Sequence, residues 1–200
     1  PRVYPSIDRK DARAVAKTFY TMVMGHAENS DLYRILFYDC APAVYRSHHP
    51  ITGNHVDFSK LDSATFRRDF HDELKRKRKV ALRLGTLQTN KRWAIHPEQT
   101  RQLLRKNITV DDLEPQHVSF DLRQKGVDMK IGLDIAALVL KRLVTQIVLV
   151  TADADFVPAA KFARREGIDF ILDPMWNHID PSLHEHIDGL KSTSPNPHAT

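Results

Sequence analysis

One part of the chain alternates apolar strands with helical patterns, and this order limits the possible fold more than any other feature. QIVLVT, beginning at Gln146, is a nearly continuous apolar run, and IDFIL, beginning at Ile168, is a second one. A helical pattern over residues 156–166 joins them and ends at Gly167, and another helix precedes the first run. Apolar strands that alternate with helices are typical of a parallel sheet covered on both faces. The sequence therefore predicts an α/β fold, a three-layer Rossmann-like parallel sheet flanked by helices.

The rest of the chain supplies further elements of both kinds. A helical period runs from Asp11 to Met24, and the aromatic, β-branched run at residues 32–39 predicts a buried strand. A long loop follows, and long loops in compact domains often cover functional sites. Downstream, the patterns predict a helix at 62–79, a strand at 80–84, a short helix at 97–106, a weaker strand from 117 and a helix from 127 to about 144. We expect residues 1–190 to form one domain and the polar stretch 191–200 to be a disordered tail.

Composition excludes several classes of protein. With 42% hydrophobic and 28% charged residues the chain has an ordinary globular composition, and no apolar run approaches the roughly 20 residues that span a bilayer. Cys40 is the only cysteine, so an intramolecular disulfide is impossible and a reducing compartment, the cytoplasm, is expected. The net charge of +5 favours polyanionic partners. The sequence does not set the oligomeric state, and a homo-oligomer is left open.

Two aspartates stand where the first apolar run ends and the next helix begins. Asp153 and Asp155 follow Thr151 closely, and in parallel sheets ligands bind beyond the carboxyl ends of the strands. Asp155 alone has a structural explanation as the N-cap of the helix. That explanation leaves Asp153 as a second like charge nearby, which is unfavourable unless a cation compensates it.

A third aspartate follows a glycine at the start of another helix. This residue, Asp128, either caps that helix or lies over the same edge of the sheet. Asp134, six residues on, lies on another face of the helix, so it either binds a metal with the others or bonds a neighbouring turn. Several carboxylates without cysteine or histidine partners match an oxygen-preferring ion, Mg²⁺ or Mn²⁺. Such ions orient phosphodiesters and activate water, so the sequence favours phosphate chemistry.

Basic residues agree with a polyanionic substrate. They cluster in the run KRKRK, at the end of a predicted helix, and around the third aspartate. The residues that we expect to bind such a substrate are Lys75, Arg76, Lys77, Arg78, Lys79, Lys125 and Lys130. For the KRKRK run, a solvated helix end that favours the helix dipole explains the charges equally well.

The stretches KGVDMKIGLDIAAL and QIVLVTADADFVPAAKFARREGIDFIL resemble the NYN domain family, a branch of the PIN-like nucleases. The similarity is close over residues 124–172, and LYRILFYDC and KRKVALRLG resemble earlier strands of the same domain. Family members commonly carry Ser-Gly-Asp-x-Asp-Phe, which appears here as residues 151–156 with alanine in place of the glycine. The resemblance implies a PIN-like sheet on which acidic residues converge around one or two divalent ions that hydrolyse RNA.

Carried onto matching positions, the resemblance makes Asp128, Asp153 and Asp155 the catalytic and metal-binding residues. Asp134 is a second-tier candidate, and Asp39 either lies at the same edge or only bonds a loop backbone. The implied activity is a ribonuclease dependent on Mg²⁺ or Mn²⁺ that leaves a 5′ phosphate and a 3′ hydroxyl. Two alternatives stay open: an RNA-binding module without catalysis, and a metal-dependent phosphohydrolase acting on small phosphates.

One expected feature is absent from its usual place. NYN domains begin with a strand ending in an Asp-Gly-x-Asn type sequence, whose aspartate belongs to the metal site, and no such strand precedes the helix at Asp11. The chain also lacks an initiator Met. Either the chain lacks its beginning or this homologue has lost a metal ligand, and such a loss would favour the binding module.

Overall fold

A computed structural model describes residue 8 and residues 10–197 of the chain. The α-helices in this part are α1 (Ala12–Met24), α2 (Asp62–Lys75), α3 (Pro97–Leu104), α4 (Val127–Leu140), α5 (Val157–Arg165) and α6 (Pro181–His184). The strands are β1 (Ile35–Cys40), β2 (Arg46–His48), β3 (His55–Asp57), β4 (Val80–Gln88), β5 (Trp93–Ile95), β6 (Val118–Phe120), β7 (Arg123–Lys125), β8 (Gln146–Val150), β9 (Asp169–Asp173) and β10 (Gly189–Leu190). No helix of the described residues combines the length and apolar character that crossing a bilayer requires.

The α/β class is confirmed, but the strands do not form the single parallel sheet that the sequence predicts. Strand β1 pairs in parallel with β4, while β7 pairs antiparallel with the end of β4. Strands β8, β9 and β10 form a separate parallel sheet, and β2–β3 and β5–β6 are antiparallel pairs. Among the described residues the largest sheets therefore have three strands. The prediction is wrong here because apolar periodicity reports the burial of a strand but not which strand lies beside it.

Strand β1 has helices on both of its faces. The ring of Phe37 contacts those of Phe19 in α1 and Phe70 in α2, with centroids 5.1 and 5.6 Å apart. Tyr38 points to the opposite face, as successive strand residues do, and its hydroxyl bonds Asp134 in α4. Alternation along β1 therefore directs the next residue, the candidate Asp39, toward α2.

The main buried cluster fixes the second parallel sheet against α4 and α5. Ile131 and Ile135 of α4 share this cluster with Phe156, with Ala160 of α5 and with Phe170 of β9. Phe156 is buried directly after the two candidate aspartates that follow β8. Burial of this ring therefore anchors the turn that carries those aspartates.

Gly85 of β4 allows the start of α4 to approach the end of β1. A Cβ atom at this position would lie 2.7 Å from the Lys125 carbonyl oxygen, 2.8 Å from Val127 Cγ2 and 3.2 Å from Cys40 Sγ. A side chain at residue 85 would therefore force the backbone that enters α4 to move. The beginning of α4, and with it Asp128, is thus packed beside the residue that follows Asp39.

The first prediction concerns this packing. We expect Gly85→Ala to lower the free energy of unfolding by about 1–3 kcal/mol, the usual cost of an overpacked site, measured by urea denaturation. Gly132→Ala is the matched control, because a Cβ atom at this glycine inside α4 meets nothing within 4 Å. That control should gain stability, since alanine favours helices over glycine by about 1 kcal/mol. Equal stability of the Gly85 variant and the wild type would contradict the packing described here.

The segment after β10 is packed rather than disordered at residues 191–194. The Lys191 backbone N–H donates to the Leu172 carbonyl at 3.0 Å, and Trp176 Nε1 donates to the Ser194 carbonyl at 2.9 Å. Ser194 is buried. The predicted disordered tail 191–200 is therefore wrong for these residues, because their polar groups bond the protein instead of water. Residues 198–200 lie outside the described part of the chain.

Candidate active site

Asp39 lies at the carboxyl end of β1 and is held by groups of α2. Its Oδ1 accepts a hydrogen bond from the Cys40 backbone N–H at 2.7 Å, and its Oδ2 accepts one from His71 Nε2 at 2.9 Å. Arg67 Nε lies 3.6 Å from the same Oδ2. Since His71 is buried, the carboxylate is fixed between an immobile imidazole and a guanidinium. Asp39 therefore makes contacts well beyond the loop backbone.

Asp153 and Asp155 lie in the turn between β8 and α5. Asp153 Oδ1 accepts a hydrogen bond from the Asp155 backbone N–H at 3.0 Å and caps the 3₁₀ turn Ala154–Phe156. Asp155 lies inside that turn, and Phe156 occupies the N-cap position of α5, so the N-cap role predicted for Asp155 is not observed. The prediction was wrong because a 3₁₀ turn precedes α5, which begins only at Val157. Both aspartates are exposed, and the Asp155 carboxylate has no partner among the described residues.

Asp128 lies in the first turn of α4 and is also exposed. Gly126 occupies the N-cap position with φ of 79°, a left-handed conformation that glycine adopts without strain. The alternative in which Asp128 caps the helix is therefore wrong. Within the described part of the chain its carboxylate has no ion pair or hydrogen bond. Its charge is thus available to a ligand at the edge near the end of β1.

The candidate aspartates Asp39, Asp128, Asp153 and Asp155 do not form an assembled metal site among the described residues. The turn Ala154–Phe156 contacts α4, which starts beside the end of β1. No group of three or more His, Cys, Asp or Glu in the described residues could hold a metal ion as placed. The exposed carboxylates Asp128, Asp153 and Asp155 nevertheless offer only oxygen ligands, the type that Mg²⁺ and Mn²⁺ prefer. Their convergence on an ion stays a prediction.

Asp134 has a different environment. Its Oδ2 accepts a hydrogen bond from the Tyr38 hydroxyl at 3.0 Å and forms an ion pair with Arg83, whose Nε lies 2.9 Å away. Burial of Tyr38 and its bond to this carboxylate raise the pKa of the tyrosine, although Arg83 acts in the opposite direction. Asp134 thus bonds two strands rather than the neighbouring turn that the sequence suggested. Its carboxylate is already engaged and lines a separate cavity with Arg83.

The KRKRK run lies at the other end of the β1–β4 pair. It leads into Val80, which is the partner of Ile35 at the beginning of β1, whereas Asp39 is near the strand's end. Roughly 13 Å of strand separates the two ends. Lys75 pairs with Asp72 at 2.8 Å, and Arg76, Lys77, Arg78 and Lys79 follow it at this amino end. The explanation as a solvated helix end accounts for Lys75, and RNA binding by the run stays a prediction.

Two of the predicted RNA-binding lysines lie much nearer the aspartates. Lys125 is in β7 opposite Thr86, and Lys130 follows Asp128 by two residues in α4. Both are exposed, and neither has an acidic partner among the described residues. RNA binding by these two lysines stays a prediction.

Sequence reasoning missed one further aspartate at a strand end. Asp173 ends β9, pairs in register with Val150, and is fully buried. His26 Nε2 donates to its Oδ2 at 2.8 Å. Burial raises the pKa of this carboxyl, but hydrogen bonds from His26, Met175, Ser192 and Thr193 outweigh that effect and lower it. Asp173 could have been identified from the sequence because it directly follows an apolar run. Its partner His26 is 147 residues away, and nothing in the sequence indicated that pairing.

Comparison with protein families decides which class this arrangement belongs to. A model of the NYN domain family matches residues 37–178, well over half of the chain. The chain belongs to the NYN domain family. This is a PIN-like nuclease family, so the resemblance drawn from the sequence is confirmed and the chain has a nuclease-type domain. Comparisons with curated proteins and with solved structures gave no significant match.

The first and last residues of the NYN match can be placed on the structural elements. It begins inside β1, at Phe37, and leaves α1 outside. Its range includes Asp39 and all the aspartates discussed above, as well as Lys125 and Lys130.

Proposed function

We propose that this protein is a ribonuclease that depends on Mg²⁺ or Mn²⁺ and hydrolyses RNA phosphodiester bonds. The observation that supports the proposal most strongly is the distribution of acids in a nuclease-family domain. Asp39 ends β1, Asp153 and Asp155 follow β8, and Asp128 starts α4 beside the end of β1. The carboxyl ends of parallel strands are the usual location of a site in sheets of this kind.

The position of Asp39 also bears on the strand that the sequence analysis could not find. Because the family match begins at Phe37, we infer that β1 is the strand that NYN domains place first. In this assignment FYDC stands where the family has its strand-ending aspartate, and Asp39 supplies that residue. Neither a missing strand nor a lost ligand is then needed to complete the acidic set, and α1 precedes the family domain.

Each residue at the edge has a role that follows from its contacts. Asp128, Asp153 and Asp155 would hold the divalent ion. His71 and Arg67 hold Asp39 in one orientation, and Asp39 would also take part in holding the ion. When bound, the ion would supply Lewis-acid activation of water and of the phosphodiester.

Phosphate recognition falls to the cations at the same edge. Lys125 and Lys130 are exposed and free of acidic partners among the described residues, so they can bind RNA phosphates on the α4 side. Arg67 presents its guanidinium on the α2 side, next to Asp39. An RNA strand crossing the carboxyl ends of β1 and β8 would therefore meet cations on both sides of the aspartates.

The proposal is tested by metal dependence. We expect the purified protein to cleave single-stranded or structured RNA in the presence of Mn²⁺ or Mg²⁺, with activity lost in EDTA and restored by excess Mn²⁺. The physical reason is that exposed, like-charged carboxylates repel one another and gain a common partner only in a cation. Product sizes and ends are read on sequencing gels, with 5′ phosphates and 3′ hydroxyls expected. Cleavage at an undiminished rate in EDTA would refute the metal-dependent mechanism.

The second candidate is an RNA-binding module without catalysis. Two observations favour it. No cluster of three or more acidic, histidine or cysteine side chains in the described residues is arranged to hold a metal, and the Asp39 carboxylate already contacts His71 and Arg67. The same reactions distinguish the two, because binding in a gel-shift assay without any cleavage in Mn²⁺ would support the module. Its affinity should then fall steeply with salt, since phosphate contacts release counterions.

A further inference from the structure

A cavity of about 340 Å³ lies between α4 and the β1–β4 pair, on the face of the pair opposite to the one from which Asp39 contacts α2. Tyr33 and Arg34, just before β1, form one side, and Lys141, just after α4, forms another. Arg83 and Asp134 contribute from β4 and α4. The volume is within the range of about 300–1,000 Å³ in which small-molecule sites fall. The cavity is thus large enough for a small organic ligand but too small for a folded nucleic acid.

The charged groups of this cavity leave a positive excess. Arg83 is paired with Asp134, whose carboxylate lies 2.9 Å from the arginine Nε. Arg34 and Lys141 are exposed, and within the described residues neither has a carboxylate partner. Two positive charges therefore face the cavity without compensation, which matches a phosphate dianion.

The remaining lining is apolar. Leu36 and Ala81 form the strand side, and Leu138 of α4 and Leu143, which follows that helix, form the opposite side. At the mouth, the aromatic ring of Tyr33 is 45% exposed although the residue lines a cavity. An exposed aromatic ring beside aliphatic side chains favours a flat, apolar partner, such as a nucleobase.

We propose that this cavity binds a nucleoside monophosphate. Its phosphate contacts Arg34 and Lys141, and its base lies between Tyr33 and the leucines of α4. The Arg83–Asp134 pair forms the polar end of the cavity and offers donors and an acceptor to the sugar or base. The site is separate from the acidic edge and does not rest on the proposed nuclease function.

The test is calorimetric titration of the whole chain with AMP in buffer that contains EDTA, which prevents metal-supported binding at the acidic edge. Adenosine and inorganic phosphate are the comparison probes, and each should bind at least about tenfold more weakly than AMP, because each lacks one of the two contact sets. Binding of phosphate as tight as that of AMP would overturn the role of the base. Absence of AMP binding at millimolar concentration would overturn the site.

Variants locate the binding. Arg34→Ala and Lys141→Ala should each weaken AMP binding by roughly tenfold or more, as expected for the loss of a charged hydrogen bond. Lys161→Ala, which removes an exposed lysine of α5 outside the cavity, should bind as the wild type does. Asp153→Asn should also leave the affinity unchanged. Unchanged binding in the first two variants, or lost binding in the Asp153 variant, would overturn the assignment to this cavity.

Discussion

The Asp155→Asn variant is expected to cleave RNA on the order of a hundredfold more slowly than the wild type at saturating Mn²⁺. The carboxylate of Asp155 is exposed and has no partner among the described residues, so the fold does not use its charge. Asparagine preserves the shape of the side chain and removes only that charge. The free energy of unfolding should therefore stay close to that of the wild type. Initial rates of cleavage and urea denaturation of the same preparations measure the two quantities.

A companion variant and a control sharpen this result. Asp153→Asn should lose activity to a similar degree while still capping the turn, because asparagine is as good an N-cap residue as aspartate. Asp72→Asn removes an exposed aspartate of α2 that pairs with Lys75, and it should cleave normally. Both active-edge variants should require more Mn²⁺ for half-maximal activity, which a purely structural defect would not produce. Wild-type cleavage by Asp155→Asn would contradict the proposed site.

The elements around this site were predictable because their signals are local. The run from Gln146 and the pattern after it predicted β8 and α5 to within a few residues, since burial of these elements follows their own periodicity. The position of Asp153 and Asp155 after a strand followed from the same pattern. The family motif predicted that they bind a metal, which the apolar periodicity alone does not indicate.

The neighbours of each strand could not be predicted in this way. In residues 45–58 and 93–120 the sequence predicted only a long loop, the short helix at 97–106 and a weak strand from 117, yet the two segments pack together through the rings of Phe58, Trp93 and Phe120. The short antiparallel pairs in these segments, β2–β3 and β5–β6, depend on that contact between distant parts of the chain. Likewise, the three polar residues of β7 become a strand only because β4 is beside them.

The side-chain partners of each aspartate also could not be predicted from the sequence. Asp39, Asp134 and Asp173 all lie at or near apolar elements and look alike in a linear reading. The structure separates them by partners that are distant in the chain: His71 for the first, Tyr38 and Arg83 for the second, and His26 for the third. Whether a carboxylate is free for a metal depends on such partners.

Asp173 should be the most costly aspartate to remove from the fold. It is fully buried, and its carboxylate accepts hydrogen bonds from His26 Nε2, the Met175 backbone N–H and Ser192 Oγ, each at 2.8 Å. These bonds tie α1 and the segment after β10 to the end of β9. We expect Asp173→Ala to lower the free energy of unfolding by about 3–5 kcal/mol at pH 7, because it leaves several buried hydrogen-bond donors without an acceptor, at about 1–3 kcal/mol each.

The pH dependence of the stability lost in Asp173→Ala separates the contribution of the negative charge from that of side-chain packing. Hydrogen bonds hold the pKa of Asp173 below the ordinary value of about 3.9 despite burial, so the unfolded chain binds this proton more readily than the folded one. The stabilisation is therefore fully present above that ordinary value and is lost as the pH falls through the lower, folded value. Urea denaturation should show the gap between wild type and variant narrowing from pH 7 to pH 3. Asp169→Ala, an exposed change at the other end of β9, should cost far less at either pH, and a gap for Asp173→Ala that stayed constant would assign the loss to packing alone.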